Sequence, residues 1–110
     1  MKSRYPRSWA WPGGAKIAVS INMAFEAFLR HSQVTLEKTD NKIDHFSLSY
    51  AEYGAKSGAW RLLDLLDELQ LKGSVSTNGL AALQHPNVVR AFADAGHEIV
   101  GHAWANDQML

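Results

Sequence analysis

Three residues have the chemistry to move protons or polarise a bond and stand at comparable positions in the chain: Glu26, Asn78 and His102. Each closes a segment that reads as a β-strand. In parallel α/β folds the C-terminal strand ends gather on one rim, where active sites form. A carboxylate, an amide and an imidazole on one rim can hold a water or a metal and pass protons. Ordinary strand-end polarity explains the same pattern, and from pattern alone it is the default.

The histidines invite a metal reading that fails on geometry. His97-Glu98-Ile99-Val100-Gly101-His102 resembles a zinc-protease helix motif with one residue too many, and it lies on an expected strand. Residues five apart on a strand face opposite sides, so His97 and His102 cannot share one ion locally. His97 is expected to be a turn residue, and His31, His45 and His85 to be surface loop residues. No phosphate-binding loop is present. Gly54-Ala55-Lys56-Ser57-Gly58 offers at most an anion-binding helix start. No serine sits at a sharp strand-to-helix turn of the Gly-x-Ser-x-Gly kind.

The elements that must position these residues follow from periodicity. Lys16 to Glu26 alternates, with Ile17, Val19, Ile21, Met23 and Phe25 on one side, and reads as a strand. Residues 30–57 show no sustained period; a connection of that length is more often functional than decorative. Gly58 to Leu71 is a helix whose stripe is Ala59, Leu62, Leu63, Leu66 and Leu69, with Gly73 as a left-handed stop. Ser74 to Asn78 is a short strand. A helical turn from Leu80 is interrupted at His85-Pro86, and Pro86 to Ala95 is a helix with Val88, Val89, Phe92 and Ala95 inward. Gly96 ends it, and Glu98 to Trp104 is a third strand. Residues 1–15, rich in Pro, Gly and Trp, read as an extended arm ending in a turn. The order strand, loop, helix, strand, helix, strand predicts an α/β fold with parallel strands.

Bulk properties narrow the function classes. The 110 residues are 46% hydrophobic and 20% charged, in the globular range. Eleven basic and eleven acidic residues cancel, giving no field to draw in nucleic acid or an acidic membrane surface. There is no cysteine, hence no disulfide frame and no thiolate zinc site. With no secretory h-region and no membrane-length apolar run, the expectation is a soluble cytoplasmic protein.

Several segments taken together resemble one family. Trp11-Pro12-Gly13-Gly14-Ala15-Lys16-Ile17-Ala18-Val19 is similar to its lead into the first barrel strand. The run from Tyr53 to Asp67, Tyr-Gly-Ala-Lys-Ser-Gly-Ala-Trp-Arg-Leu-Leu-Asp-Leu-Leu-Asp, is similar to its first helix. Thr77-Asn78-Gly79 and Ala95-Gly96-His97-Glu98-Ile99-Val100-Gly101-His102 resemble its next two strand regions. The family is the polysaccharide deacetylase (NodB-homology) superfamily, in particular its allantoinase-like, cytoplasmic branch.

The resemblance implies the first two to three βα units of a deformed (β/α) barrel of the glycoside hydrolase/deacetylase type. It implies hydrolysis of carbon–nitrogen bonds in a small-molecule or sugar amide, with a divalent ion such as zinc in metal-dependent members. There an Asp-Asp pair gives the base and one ligand, and a His-x-x-x-His motif gives two more. In this chain Phe25-Glu26-Ala27 falls at the paired acids, so Glu26 matches the base while Ala27 has no ligand atom. His102 matches the first metal histidine and Asn106 falls at the second; an amide oxygen is a poor zinc ligand. The site residues so implied are Glu26 and His102 for catalysis, Asn78 and Trp104 for substrate, and His102 with Asn106 for any metal. A site without metal, where Glu26 and His102 handle protons directly, stands beside a degenerate, inactive one. A full barrel takes about 250 residues, so this chain is expected to be an N-terminal part of one, its open sheet edge inviting self-association. A small flavodoxin-like binding domain is the remaining alternative.

Overall fold

The alternating segment forms a strand only where it finds a partner. In the computed structural model, which describes residues 10–28 and 44–105, β1 is Asn22–Phe25. It pairs in parallel with β2, Ser74–Thr77, which pairs in parallel with β3, Glu98–Gly101. The sheet order is β1-β2-β3, with Phe25 opposite Thr77 and Thr77 opposite Gly101. This is the expected α/β arrangement of parallel strands. The strand is nonetheless shorter than the Lys16–Glu26 alternation predicts. Ile17 and Val19, on the apolar side of that alternation, are 76% and 84% exposed, and among the described residues no strand runs alongside them.

Residues 45–53, read as loop, are helical: α1 is His45–Tyr53. Asp44 caps it, accepting from the Phe46 and Ser47 amides and the Ser47 hydroxyl. Those bonds, the Ser47 hydroxyl first, hold the Asp44 carboxyl below the usual carboxylate range. A π-helical turn, Gly54–Gly58, carries α1 without interruption into α2, Ala59–Glu68. Gly54–Gly58 is therefore mid-helix, and no free helix N-terminus is available there for an anion. Of the stripe on α2, Ala59 and Leu66 are buried and Leu63 packs against the core, while Leu62 and Leu69 remain exposed.

α3 is Gly79–Gln84 and α4 is Pro86–Asp94, with proline in the first turn of α4. Val88 and Phe92 of α4 are buried against Phe25 and Val75 of the sheet and Ala55, Ala59, Leu80 and Ala81 of the other helical segments. Burying a Phe or Val side chain stabilises by about 1.5–3 kcal/mol each, so this cluster fixes the helices on one face of the sheet. Gly96, at φ +83°, ends α4 as expected.

Gly73 behaves differently from expectation. The left-handed residue after α2 is Gln70, at φ 54°. Gly73 is required instead by crowding, since a Cβ there would lie 2.6 Å from the Ile21 carbonyl oxygen. His97, expected to be a turn residue, follows the turn at Ala95 and Gly96 and is buried. It is 6% exposed, stacks edge-on to Phe92 at 5.4 Å, and accepts a hydrogen bond from the Gly73 amide at Nδ1.

Candidate active site at the C-terminal rim

The first functional side chain is placed by the end of β1. Glu26 follows the last paired residue, Phe25, so its carboxylate stands on the rim. His102 follows the last residue of β3 and is tied to β2 by its own amide, which donates to the Thr77 carbonyl at 2.9 Å. Strands lie about 4.8 Å apart, so these two backbones flank β2 at roughly 10 Å. Their side chains lean across its end and meet, His102 Nε2 lying 3.0 Å from Glu26 Oε1. A carboxylate accepts only, so Nε2 carries the proton and Nδ1 is left as the basic nitrogen. The imidazole is 54% exposed and the carboxylate 20% exposed. The partner nearer the interior therefore orients the one nearer the solvent.

Asn78 lies beneath this pair rather than beside it. It is fully buried, and its side-chain amide grips the residue after Glu26 on both sides. Oδ1 accepts from the Ala27 amide at 3.2 Å, and Nδ2 donates to the Ala27 carbonyl at 2.9 Å. Oδ1 also accepts from the Ala81 amide at 2.8 Å, capping α3. The structure thus puts Asn78 under the floor of the rim, where the strand-end pattern suggested a place facing substrate.

Trp104 does not continue β3. The strand was expected to reach it but stops at Gly101, and the chain bends through Ala103 at φ 54°. The cause lies at the start of α3, whose first amides have no partner within the helix. The Gly79 amide donates to Ala103 O at 3.0 Å and the Leu80 amide to Trp104 O at 2.9 Å. The indole, half-exposed, lies over Gly79, where a Cβ would come within 2.4 Å of the ring. Trp104 is therefore on the rim, close to the residue after Asn78. Asn106 lies outside the described residues.

Sequence reasoning missed two contributors. His85, expected on the surface, is half-buried with its ring edge-on to Phe25 at 6.3 Å. With Glu26, Glu52 and Gln84 it lines a cavity of about 290 Å³. Glu52 comes from α1, the helix that the sequence did not reveal. The one usable signal was His85-Pro86, which places an imidazole at a helix boundary facing the sheet. A second cavity of about 510 Å³, bordered by Phe25, Tyr50 and Phe92, runs beneath the π-helical turn.

The residues present do not suit the divalent ion that the resemblance implies. The side chain at position 27 is a methyl group, and the Ala27 amide and carbonyl are both engaged by Asn78. Among the described residues, no three His, Asp or Glu side chains converge as ligands.

Comparison with known proteins places the chain in a family. Residues 35–110 match the family model described as polysaccharide deacetylase. A Schizosaccharomyces pombe protein named "Putative polysaccharide deacetylase" is 28% identical over 113 residues, covering 87% of this chain and 35% of that protein. Among solved structures, a Puue allantoinase superposes with a TM-score of 0.70 at 32% identity, covering 84% of this chain and 35% of that one. A probable polysaccharide deacetylase from Pseudomonas aeruginosa PAO1 gives a TM-score of 0.73 at 30% identity, covering 86% and 36%. The chain thus spans about a third of the length of the relatives it matches.

Proposed function

The chain belongs to the polysaccharide deacetylase family, and on that footing we propose that it hydrolyses the carbon–nitrogen bond of a small-molecule or sugar amide, without metal, through Glu26 and His102. The observation that carries this reading is the 3.0 Å contact between Glu26 and His102 across the end of β2. With Glu26 bound at Nε2, His102 takes a proton from water at Nδ1 while the water oxygen adds to the amide carbonyl carbon. Glu26 stabilises the imidazolium so formed. As the carbon–nitrogen bond breaks, the imidazolium returns the proton to the leaving nitrogen, giving a carboxylic acid and an amine, which then exchange a proton to leave carboxylate and ammonium. Proton transfer of this kind contributes about 10²–10⁴-fold.

The cavity beside Glu26 supports a substrate with a small acyl group or ring. Its 290 Å³ is near the lower end of ligand pockets, about 300–1,000 Å³. Trp104, exposed on the rim, offers an apolar face for a sugar or heterocycle.

The test is hydrolysis of N-acetylated sugars and cyclic amides by chelator-treated protein, followed as carboxylate release. Turnover should survive chelation and fall about 10²–10⁴-fold in both Glu26→Gln and His102→Ala. Turnover that requires added zinc, or that persists in both variants, overturns the reading. A second reading is a non-catalytic module that associates through its sheet edge. It is favoured by Ala27 in place of a ligand acid and by the exposure of every residue of β3. Wild-type protein inert toward both amide classes would select it.

A further inference from the structure

We infer that Asn78 is a positioning residue whose side-chain amide holds Glu26 in register with His102. The inference rests on the reading of Glu26 and His102 as the reacting pair, and it assigns the third strand-end residue a task beyond that reading.

The backbone ladder between β1 and β2 ends before Glu26. Its last register pair is Phe25 with Thr77, followed by the Asn78 amide donating to the Phe25 carbonyl at 3.3 Å. Beyond that point β2 has turned into α3 and offers β1 no further backbone partner. The Asn78 side chain supplies one. Its oxygen and nitrogen bind the Ala27 amide and carbonyl as a backbone neighbour would, at 3.2 and 2.9 Å. Glu26 is thereby held between two fixed points, Phe25 on the ladder and Ala27 on the Asn78 amide.

His102 is fixed from the same short segment. Its amide is bound by the carbonyl of Thr77, the residue before Asn78. Two consecutive residues, the last of β2 and the one after it, therefore fix the two halves of the pair, one through a main-chain carbonyl and the other through a side-chain amide. Helix α3 is locked to the same point, because Oδ1 also caps the Ala81 amide at 2.8 Å. No smaller polar side chain can do all three. Serine reaches a helix-capping amide but not Ala27, and aspartate keeps the acceptor but turns an anionic oxygen toward the Ala27 carbonyl.

The experiment compares wild type, Asn78→Ser, Asn78→Asp, Glu26→Gln and the double variant Asn78→Ser/Glu26→Gln in the full chain. It reads kcat, KM and the rate at which diethyl pyrocarbonate labels the His102 imidazole, by peptide mass spectrometry. A misplacement of about 1 Å costs on the order of 10²-fold. Both Asn78 variants should lose about that factor in kcat with KM within about twofold. The Ser variant should lose nothing further in the Glu26→Gln background, because the carboxylate that Asn78 positions is already gone. Labelling of His102 should change by the same factor in Asn78→Ser and Asn78→Asp as in Glu26→Gln. Asn78→Asp, nearly isosteric, provides the measurement if Asn78→Ser does not fold.

A purely structural Asn78 predicts otherwise: wild-type kcat and labelling in folded variants, or losses that multiply in the double variant. Either result overturns the inference. The labelling readout needs no turnover. If Glu26→Gln alters labelling and the Asn78 variants do not, the positioning role falls and the Glu26–His102 pair stands. If Glu26→Gln itself alters neither labelling nor turnover, the pair falls and the inference with it.

Discussion

The two ends of the sheet use the same residue types to opposite purposes. At the N-terminal end, His97 is buried, bonded to the Gly73 amide and packed on Phe92. At the C-terminal end, five residues later, His102 is half-exposed and paired with Glu26. One imidazole is a packing element and the other is presented. Glycine divides in the same way. Gly73 admits a backbone carbonyl and closes the sheet, whereas Gly79 admits an indole ring and leaves it on the rim. Residue type alone decides neither role. What decides is whether the neighbours surround the side chain or hold only its backbone.

The sharpest way to break this comparison is to truncate each histidine. His102→Ala should cost about 10³-fold in turnover and leave the thermal midpoint within a degree or two. His97→Ala should do the reverse. It removes a buried ring and strips the Gly73 amide of its acceptor, a loss of about 2–3 kcal/mol. Turnover per folded molecule should be unchanged. Denaturant titration beside steady-state kinetics checks both, and matching profiles for the two variants would erase the distinction.

A smaller effect comes from the glycines. Gly73→Ala places a methyl against the Ile21 carbonyl, which cannot move without β1, and should destabilise by about 1–3 kcal/mol. Gly79→Ala meets a half-exposed ring that can swing outward. It should cost less than about 1 kcal/mol while shifting Trp104 fluorescence and raising KM. Equal stability losses in the two variants would show that Trp104 is fixed as firmly as the strand.

These contrasts show where the sequence was legible. The helix Pro86–Asp94 and the order of strands were readable because apolar spacing and Pro or Gly boundaries agree with the packing that Val88, Phe92 and Gly96 achieve. Helix α1 was not. None of its residues is buried, so it has no apolar stripe to show, and it persists through the Asp44 cap and its continuity with α2. The alternation from Lys16 to Ile21 misled because strand formation also needs a partner strand, which, among the described residues, 22–25 find and 16–21 do not. The early stop of β3 was hidden for a related reason. Residues 103 and 104 are taken up by the first amides of α3, those of Gly79 and Leu80, a demand arising far along the chain.

The strand-end positions of Glu26 and His102 were readable in the sequence, and the structure brings the two side chains into contact. Their dependence on Asn78 was not readable. An asparagine at a strand end looks the same whether its amide faces solvent or grips a neighbouring backbone. Ala27, without a ligand atom in its side chain, was visible in the sequence; the engagement of its amide and carbonyl by Asn78 was not. Membership of the polysaccharide deacetylase family accounts for the frame, and among the described residues no helix is long and apolar enough to cross a membrane.

The central claim is that Glu26 and His102 act as one unit, and a double-mutant cycle on amide hydrolysis tests it most directly. Residues that work together lose their effect together. Glu26→Gln and His102→Ala should each lower kcat/KM by about 10²–10⁴-fold, and the double variant should be no slower than the slower single. Losses that multiply in the double variant would mean that the two residues act separately, and the 3.0 Å contact would carry no mechanism.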